Sequence, residues 1–240
     1  MNDSQKQTVQ WFPGHMAKTR RLIKESLPFV DLVTEIVDAR IPMSSSNPEL
    51  KEMIGNKPRI VLLNKCDVAD EKATARWVEY YKKNGMYALP VDCRSGKGLN
   101  AYLPLVRNVL KDKIKRNEEK GMVGKPLRVM VVGIPNTGKS SFINKLTRSG
   151  GAKTGNRPGV TKGKQWVRLK EGYELLDTPG ILWPKFEDVL VGENLALTGA
   201  IKDDILDIER IGLILVRRLR EMYPAELATR YKLADTDWQA

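Results

Sequence analysis

An apolar, β-branched run at residues 127–132 leads directly into Gly133-Ile134-Pro135-Asn136-Thr137-Gly138-Lys139-Ser140, and residues 139–148 behind it have helical spacing. This is the pattern G-x-x-x-x-G-K-S in the strand–loop–helix setting it requires. It constrains the fold more than any other feature, because only a loop between a strand and a helix N-terminus can close such a cradle around phosphate. Glycines let the backbone fold around the anion. Amide N–H groups and the helix N-terminus point at its oxygens, so Pro135, Asn136, Thr137, Gly138, Lys139, Ser140 and Ser141 form the expected phosphate-binding set. Lys139 is expected to place its charge at the β and γ phosphates, and Ser140 to ligate magnesium.

Asp177-Thr178-Pro179-Gly180 closes a second strand downstream, where nucleotide switches sense the terminal phosphate. Asp177 would hold magnesium through water and the Gly180 amide would bond the γ-phosphate; a plain Pro-Gly turn is the alternative. Between the two motifs, Arg157-Pro158-Gly159-Val160-Thr161 reads as a first switch whose Thr161 hydroxyl completes the magnesium shell, or as an ordinary Gly/Pro loop. Lys139 and Gly180, at the phosphates, and Thr161, through magnesium, are therefore expected catalytic residues.

Asn64-Lys65-Cys66-Asp67 matches N-K-x-D at the end of a strand. A carboxylate accepts from both guanine N1–H and the 2-amino group, a donor pair that adenine lacks, so Asp67 is expected to select GTP over ATP. Asn64 would brace the purine edge and the loop, and the Lys65 stem would cover the ring face. One strand further on, Val91-Asp92-Cys93-Arg94-Ser95 resembles the S-A-K loop that reaches guanine O6 through a backbone N–H. Asp92 and Cys93 stand there in place of Ser and Ala, with Cys93 and Arg94 as the candidate contacts.

The base motifs thus precede the phosphate motifs, the reverse of the ordinary order. A circular permutation explains this if all the loops leave one edge of a parallel sheet, since a domain with neighbouring termini tolerates re-cutting. Strands are predicted at residues 30–37, 59–64, 87–91, 127–133, 165–169 and 173–177, with helices at 17–27, 71–84, 99–115 and 139–148. The expected fold is α/β: a circularly permuted P-loop GTPase domain, with a mostly parallel sheet and helices on both faces, over residues 1–185. A small all-helical domain is expected over residues 186–240. There Ile201, Ile205, Ile208, Ile211, Leu215, Leu219 and Met222 recur at helical spacing, predicting one amphipathic helix stopped before Pro224. In this order the second switch runs straight into the helical domain, and its phosphate contacts are expected to reorient that domain.

Composition narrows the setting. No apolar run approaches the ~20 residues of a membrane helix, so no membrane partner is expected. The polar first ten residues lack a secretory stretch, and two cysteines cannot make a disulfide framework or a four-cysteine zinc site; a cytoplasmic protein is expected. Residues 145–170 carry eight basic residues and no acidic one in a chain of net charge +12. Such a segment suits contact with nucleic acid, the alternative being a solvated face.

With these motifs in place the chain resembles the YlqF/RbgA family, ribosome biogenesis GTPase A, over essentially its whole length. Gln10-Trp11-Phe12-Pro13-Gly14-His15-Met16-Ala17-Lys18, Asp38-Ala39-Arg40-Ile41-Pro42 and Leu176-Asp177-Thr178-Pro179-Gly180-Ile181-Leu182-Trp183-Pro184-Lys185-Phe186 match its pattern. The resemblance implies GTP hydrolysis stimulated by the large ribosomal subunit precursor, contact with its ribosomal RNA, and a role late in assembly. A monomer is expected. Family members usually extend beyond the position of Ala240, so a truncated C-terminal domain is expected here. Ile181 stands where many GTPases carry the glutamine that orients water, and isoleucine cannot do so. The family's substitute is His15, the alternative being a surface histidine on a docking loop. Asn136 resembles the asparagine that coordinates potassium in potassium-stimulated GTPases, where the cation offsets phosphate charge as an arginine finger does. Asp38-Ala39-Arg40 is read as structural, ending a strand and placing the next loop. Rival readings are a non-enzymatic, GTP-dependent RNA-binding placeholder and a permuted GTPase acting on the small subunit, although members of the latter kind carry an OB-fold or a zinc cluster that this chain lacks.

Overall fold

The computed structural model describes residues 14–149, 165–169, 172–183, 186, 188–201 and 206–233. Among them, six strands form one sheet: β1 (Leu32–Asp38), β2 (Arg59–Asn64), β3 (Tyr87–Val91), β4 (Leu127–Val132), β5 (Gln165–Arg168) and β6 (Tyr173–Asp177). The helices are α1 (Gly14–Ser26), α2 (Pro42–Ser45), α3 (Pro48–Ile54), α4 (Glu71–Lys83), α5 (Tyr102–Val109), α6 (Lys111–Glu119), α7 (Lys139–Ser149), α8 (Val189–Leu197), α9 (Ile208–Met222) and α10 (Pro224–Tyr231).

The strands lie in the order β3-β2-β1-β4-β6-β5, all parallel except β5, which runs antiparallel to β6 at one edge. Successive residues of a strand face opposite sides, so an unbroken apolar strand needs cover on both. Val129 and Val131 of β4 pack with Tyr102 and Val106 of α5 and Phe142 and Ile143 of α7. Met130 and Val132 pack on the other face with Ile23 of α1 and Leu50 and Ile54 of α3. A third cluster joins Val37, Val61 and Leu63 to Trp77 and Tyr81 of α4. One polar pair sits inside the first layer, where Thr34 Oγ1 and the Tyr102 hydroxyl lie 2.7 Å apart.

The expected strands are present, with the bounds of β2, β3 and β6 as predicted. Two helices differ. The helix predicted over residues 99–115 becomes a tight turn followed by α5 and α6, which meet at Leu110 (φ −99°, ψ 11°). Tyr102, Val106 and Leu110 are buried one turn apart, whereas α6 has no fully buried residue and only its partly buried Ile114 packs against the core. The bend keeps Leu110 in the core while the charged α6 follows solvent. The helix predicted from Ile201 begins instead at Ile208, because Asp207 Oδ1 accepts the Arg210 N–H at 3.0 Å and caps it. Pro224, expected only as a stop, also opens α10, since proline suits a first helical position.

The described residues fall into two compact units, one within Val9–Phe186 and the other within Glu187–Ala240. In the second, α8, α9 and α10 form a small helical group, and Arg218 bonds Glu193 and Asn194. No helix among the described residues is long and apolar enough to cross a membrane.

Candidate functional site

Because β1, β2, β3, β4 and β6 run parallel, the loops after them leave by one rim. Asp38, Asn64, Asp92, Gly133 and Thr178 all stand there, at or just beyond strand ends. The succession β1-β2-β3 runs one way across the sheet and β4-β6 the other. The crevice between β1 and β4 is therefore the topological switch point, where ligands of such sheets bind.

Asn64 joins the motifs across that crevice. Its Nδ2 donates to the Thr137 carbonyl of the phosphate loop at 2.7 Å, and its Oδ1 accepts the Cys93 N–H at 2.9 Å. One buried amide thus ties together three of the sequence motifs: the base loop, the loop after β3 and the phosphate loop. Gly138 has φ +100°, and a Cβ there would collide with Asn64 Nδ2, so only glycine permits this approach.

Lys139, at the first position of α7, is 8% exposed and donates from Nζ to the Ile134 carbonyl at 2.7 Å. Burial pushes its pKa down to about 8, against an opposing pull from the negative Asp177. The segment after β6 folds onto the same loop. The Ile181 N–H donates to the Gly133 carbonyl at 3.2 Å, and a Cβ on Gly180 would lie 2.8 Å from Pro135 N and 3.1 Å from Lys139 Nζ. Gly180 therefore stands against the phosphate loop, with Asp177 buried behind it and Ser140 half-buried beside Lys139. The Ser140 hydroxyl and Asp177 carboxylate are hard oxygen donors of the kind magnesium takes. Asn136 is exposed, in the left-handed conformation at φ 60°.

In the loop after β3, Asp92 accepts the Arg94 N–H at 2.8 Å and the Ser95 N–H at 3.1 Å. The aspartate that departs from the usual serine thus builds the turn itself, and these bonds hold its carboxyl below the usual range: the Ser95 side chain lowers it most, burial opposes, and the Arg94 and Ser95 amides add to the lowering. The Cys93 and Arg94 amides are both engaged internally, so a base contact from either shares its N–H. Asp67 is partly exposed and lies 3.5 Å from the Arg94 guanidinium, a loose surface pair that leaves the carboxylate accessible. Thr161 lies outside the described residues. His15 is in the first turn of α1; Trp11, Phe12 and Pro13 lie outside.

Sequence reasoning missed two groups here. Asp38, assigned only a strand end, accepts from Lys65 and Arg40. Glu35, fully buried in β1, is paired with Arg59 and accepts from Ser46 Oγ at 3.0 Å and Asn47 N at 3.3 Å. The available signal was two acids inside an apolar strand, since buried carboxylates need partners.

A phosphate loop at the switch point of a parallel sheet, bound to an N-K-x-D loop that precedes it in the chain, defines a circularly permuted P-loop GTPase. The family described as "50S ribosome-binding GTPase" matches residues 128–229. Ribosome biogenesis GTPase A of Priestia megaterium is 54% identical over 228 residues, covering 94% of this chain and 79% of that protein. Among solved structures, GNP-bound YlqF from Thermotoga maritima is 30% identical with a TM-score of 0.61, over 92% of this chain and 80% of that one. A GDP-bound YlqF structure is 33% identical with a TM-score of 0.56, over 79% and 70%. The chain belongs to the ribosome biogenesis GTPase A family, and it is a GTPase.

Proposed function

We propose that the chain hydrolyses GTP as a switch in late assembly of the large ribosomal subunit, contacting precursor particles and their ribosomal RNA. One observation carries this reading: Asn64 links the Thr137 carbonyl to the Cys93 amide, bringing base and phosphate motifs to one crevice. The names of the relatives, ribosome biogenesis GTPase A, supply the setting. Residues 1–185 form the GTPase domain and residues 186–240 the helical domain. The protein works as a cytoplasmic monomer.

In this reading Asp67 receives the guanine donors, Lys65 covers the ring and Asn64 holds the loops in register, with Cys93 and Arg94 at the far edge. Pro135, Asn136, Thr137, Gly138, Ser140 and Ser141 wrap the phosphates. Lys139 stabilises charge at the β and γ oxygens, and the Gly180 amide reads the γ-phosphate. Ser140, Asp177 and Thr161 are the residues that would hold magnesium, which when bound neutralises charge between the phosphates. Asn136 is the proposed potassium ligand, tested by turnover in potassium against sodium buffer; equal rates would remove it. Ile181 is 1% exposed and apolar, so orienting water falls to another group, for which His15 is proposed. An unchanged rate in His15→Ala with precursor particles present would refute that role.

The deciding experiment is sedimentation with large-subunit precursors in GDP and in a non-hydrolysable GTP analogue, alongside multiple-turnover phosphate release. Co-migration dependent on nucleotide and stimulated turnover are expected. Co-migration without any turnover would instead favour a non-enzymatic placeholder.

A further inference from the structure

The Asp38 carboxylate is almost wholly buried where β1 meets the rim. Its Oδ1 accepts from Arg40 Nε at 2.9 Å and Arg40 N at 3.1 Å; its Oδ2 accepts from Arg40 Nη2 at 2.7 Å and Lys65 Nζ at 2.9 Å. These bonds are charge-assisted and short, and they use the carboxylate fully. Burial raises its pKa, while the Arg40 and Lys65 bonds outweigh that and leave it below the usual carboxylate range.

Lys65 reaches this anchor by an unusual route. Asp38 and Asn64 are register partners across β1 and β2, and Lys65, the next residue, sits at φ 63°, ψ 33°. A side chain other than glycine rarely holds that left-handed conformation unless its surroundings fix it. Here the Asn64 amide fixes the residue before it and Asp38 fixes the ammonium at its far end. Between those points lies the four-carbon stem, beside the ends of β1 and β2, with Asp67 two residues on.

We infer that Asp38 is a positioning residue for the purine platform: by gripping the Lys65 ammonium it sets the lysine stem in place before nucleotide arrives. This rests on the base-site reading proposed above. A free lysine has several rotatable bonds to order on binding, and the anchor removes that cost from both di- and triphosphate complexes. The effect belongs to the base, so it is blind to the γ-phosphate.

Titrations of fluorescent GDP and of a non-hydrolysable GTP analogue into wild type, Asp38→Asn, Lys65→Met, Lys65→Arg and the Asp38→Asn/Lys65→Met double variant test it. Asp38→Asn and Lys65→Met each raise Kd about tenfold for both ligands, the scale of reordering one long side chain. The double variant is no weaker than about twofold beyond Lys65→Met, and Lys65→Arg, which keeps a cation on the anchor, restores most of the affinity. Fully additive losses, a loss confined to the triphosphate, or wild-type binding by Lys65→Met would overturn the inference. Should Asp38→Asn lose its cooperative melt, the two Lys65 variants decide alone, since Met keeps the stem and removes only the anchored charge. An ADP titration of wild type separates the two levels. No preference for GDP over ADP refutes the base site itself, whereas a clear preference with unaffected variants refutes only the anchor.

Discussion

On the phosphate site proposed above, guanine-nucleotide affinity is expected to fall about tenfold between pH 7 and pH 9, with Lys139 the cause. The side chain is 8% exposed, and burial leaves its pKa at about 8 despite the nearby negative charge of Asp177. Phosphate oxygens favour the ammonium, so binding raises that value. Between the free and bound values binding takes up a proton, and affinity drops about tenfold per pH unit. At pH 7 roughly nine in ten free molecules already hold the proton, and at pH 9 roughly one in ten. Calorimetric titration of GDP in buffers of differing ionisation enthalpy measures the uptake directly, near zero at pH 7 and approaching one proton at pH 9. Guanine N1 also ionises on the alkaline side, and Lys139→Met titrated in parallel supplies that background. Uptake at pH 9 no greater than in Lys139→Met would refute the argument. The same shift has a sign for stability. The unfolded lysine titrates near 10.5, so between about 8 and 10.5 the unfolded chain holds more protons and the free protein gains stability as pH rises.

Glu35→Ala strips the partner from Arg59, leaves a guanidinium buried between β1 and β2, and destabilises the sheet by about 3–5 kcal/mol in denaturant unfolding; a change under about 1 kcal/mol would contradict a buried pair. Gly180→Ala pushes the segment after β6 off Pro135 and slows GTP turnover about tenfold or more, with GDP affinity within about twofold of wild type. Equal loss for both nucleotides would show that Gly180 does not read the terminal phosphate. Asn64→Ala removes two buried hydrogen bonds at once and weakens GDP and GTP alike by about tenfold or more in equilibrium binding.

The strands and the phosphate loop were legible because each is a local pattern. Apolar runs ending in glycine or a motif residue mark where a parallel strand stops, and the G-x-x-x-x-G-K-S spacing carries its own geometry. The short helix α3 was not predicted, although Asn47-Pro48-Glu49 is a local signal, a cap followed by proline, and Asn47 Oδ1 accepts the Glu49 N–H at 2.9 Å. What sequence does not carry is partnership at a distance. Nothing local says that Asn64 meets Thr137, that Glu35 meets Arg59, or that Asp38 holds Lys65; each depends on which strands become neighbours. The break at Leu110 is likewise invisible, because no glycine or proline marks it and tertiary packing decides where the helix turns.

The sheet order has a consequence for how the protein is made. Residues 32–91 supply β3, β2 and β1 as one contiguous half, and residues 127–177 supply β4, β6 and β5 as the other. They join along a single seam, β1 against β4, and the nucleotide crevice lies at the end of that seam. A nascent chain makes β1, β2 and β3 first, and the β1 edge has no β4 neighbour until residues 127–132 are made. A nucleotide held at the site proposed above would touch both halves, and binding to the folded state alone would favour that state.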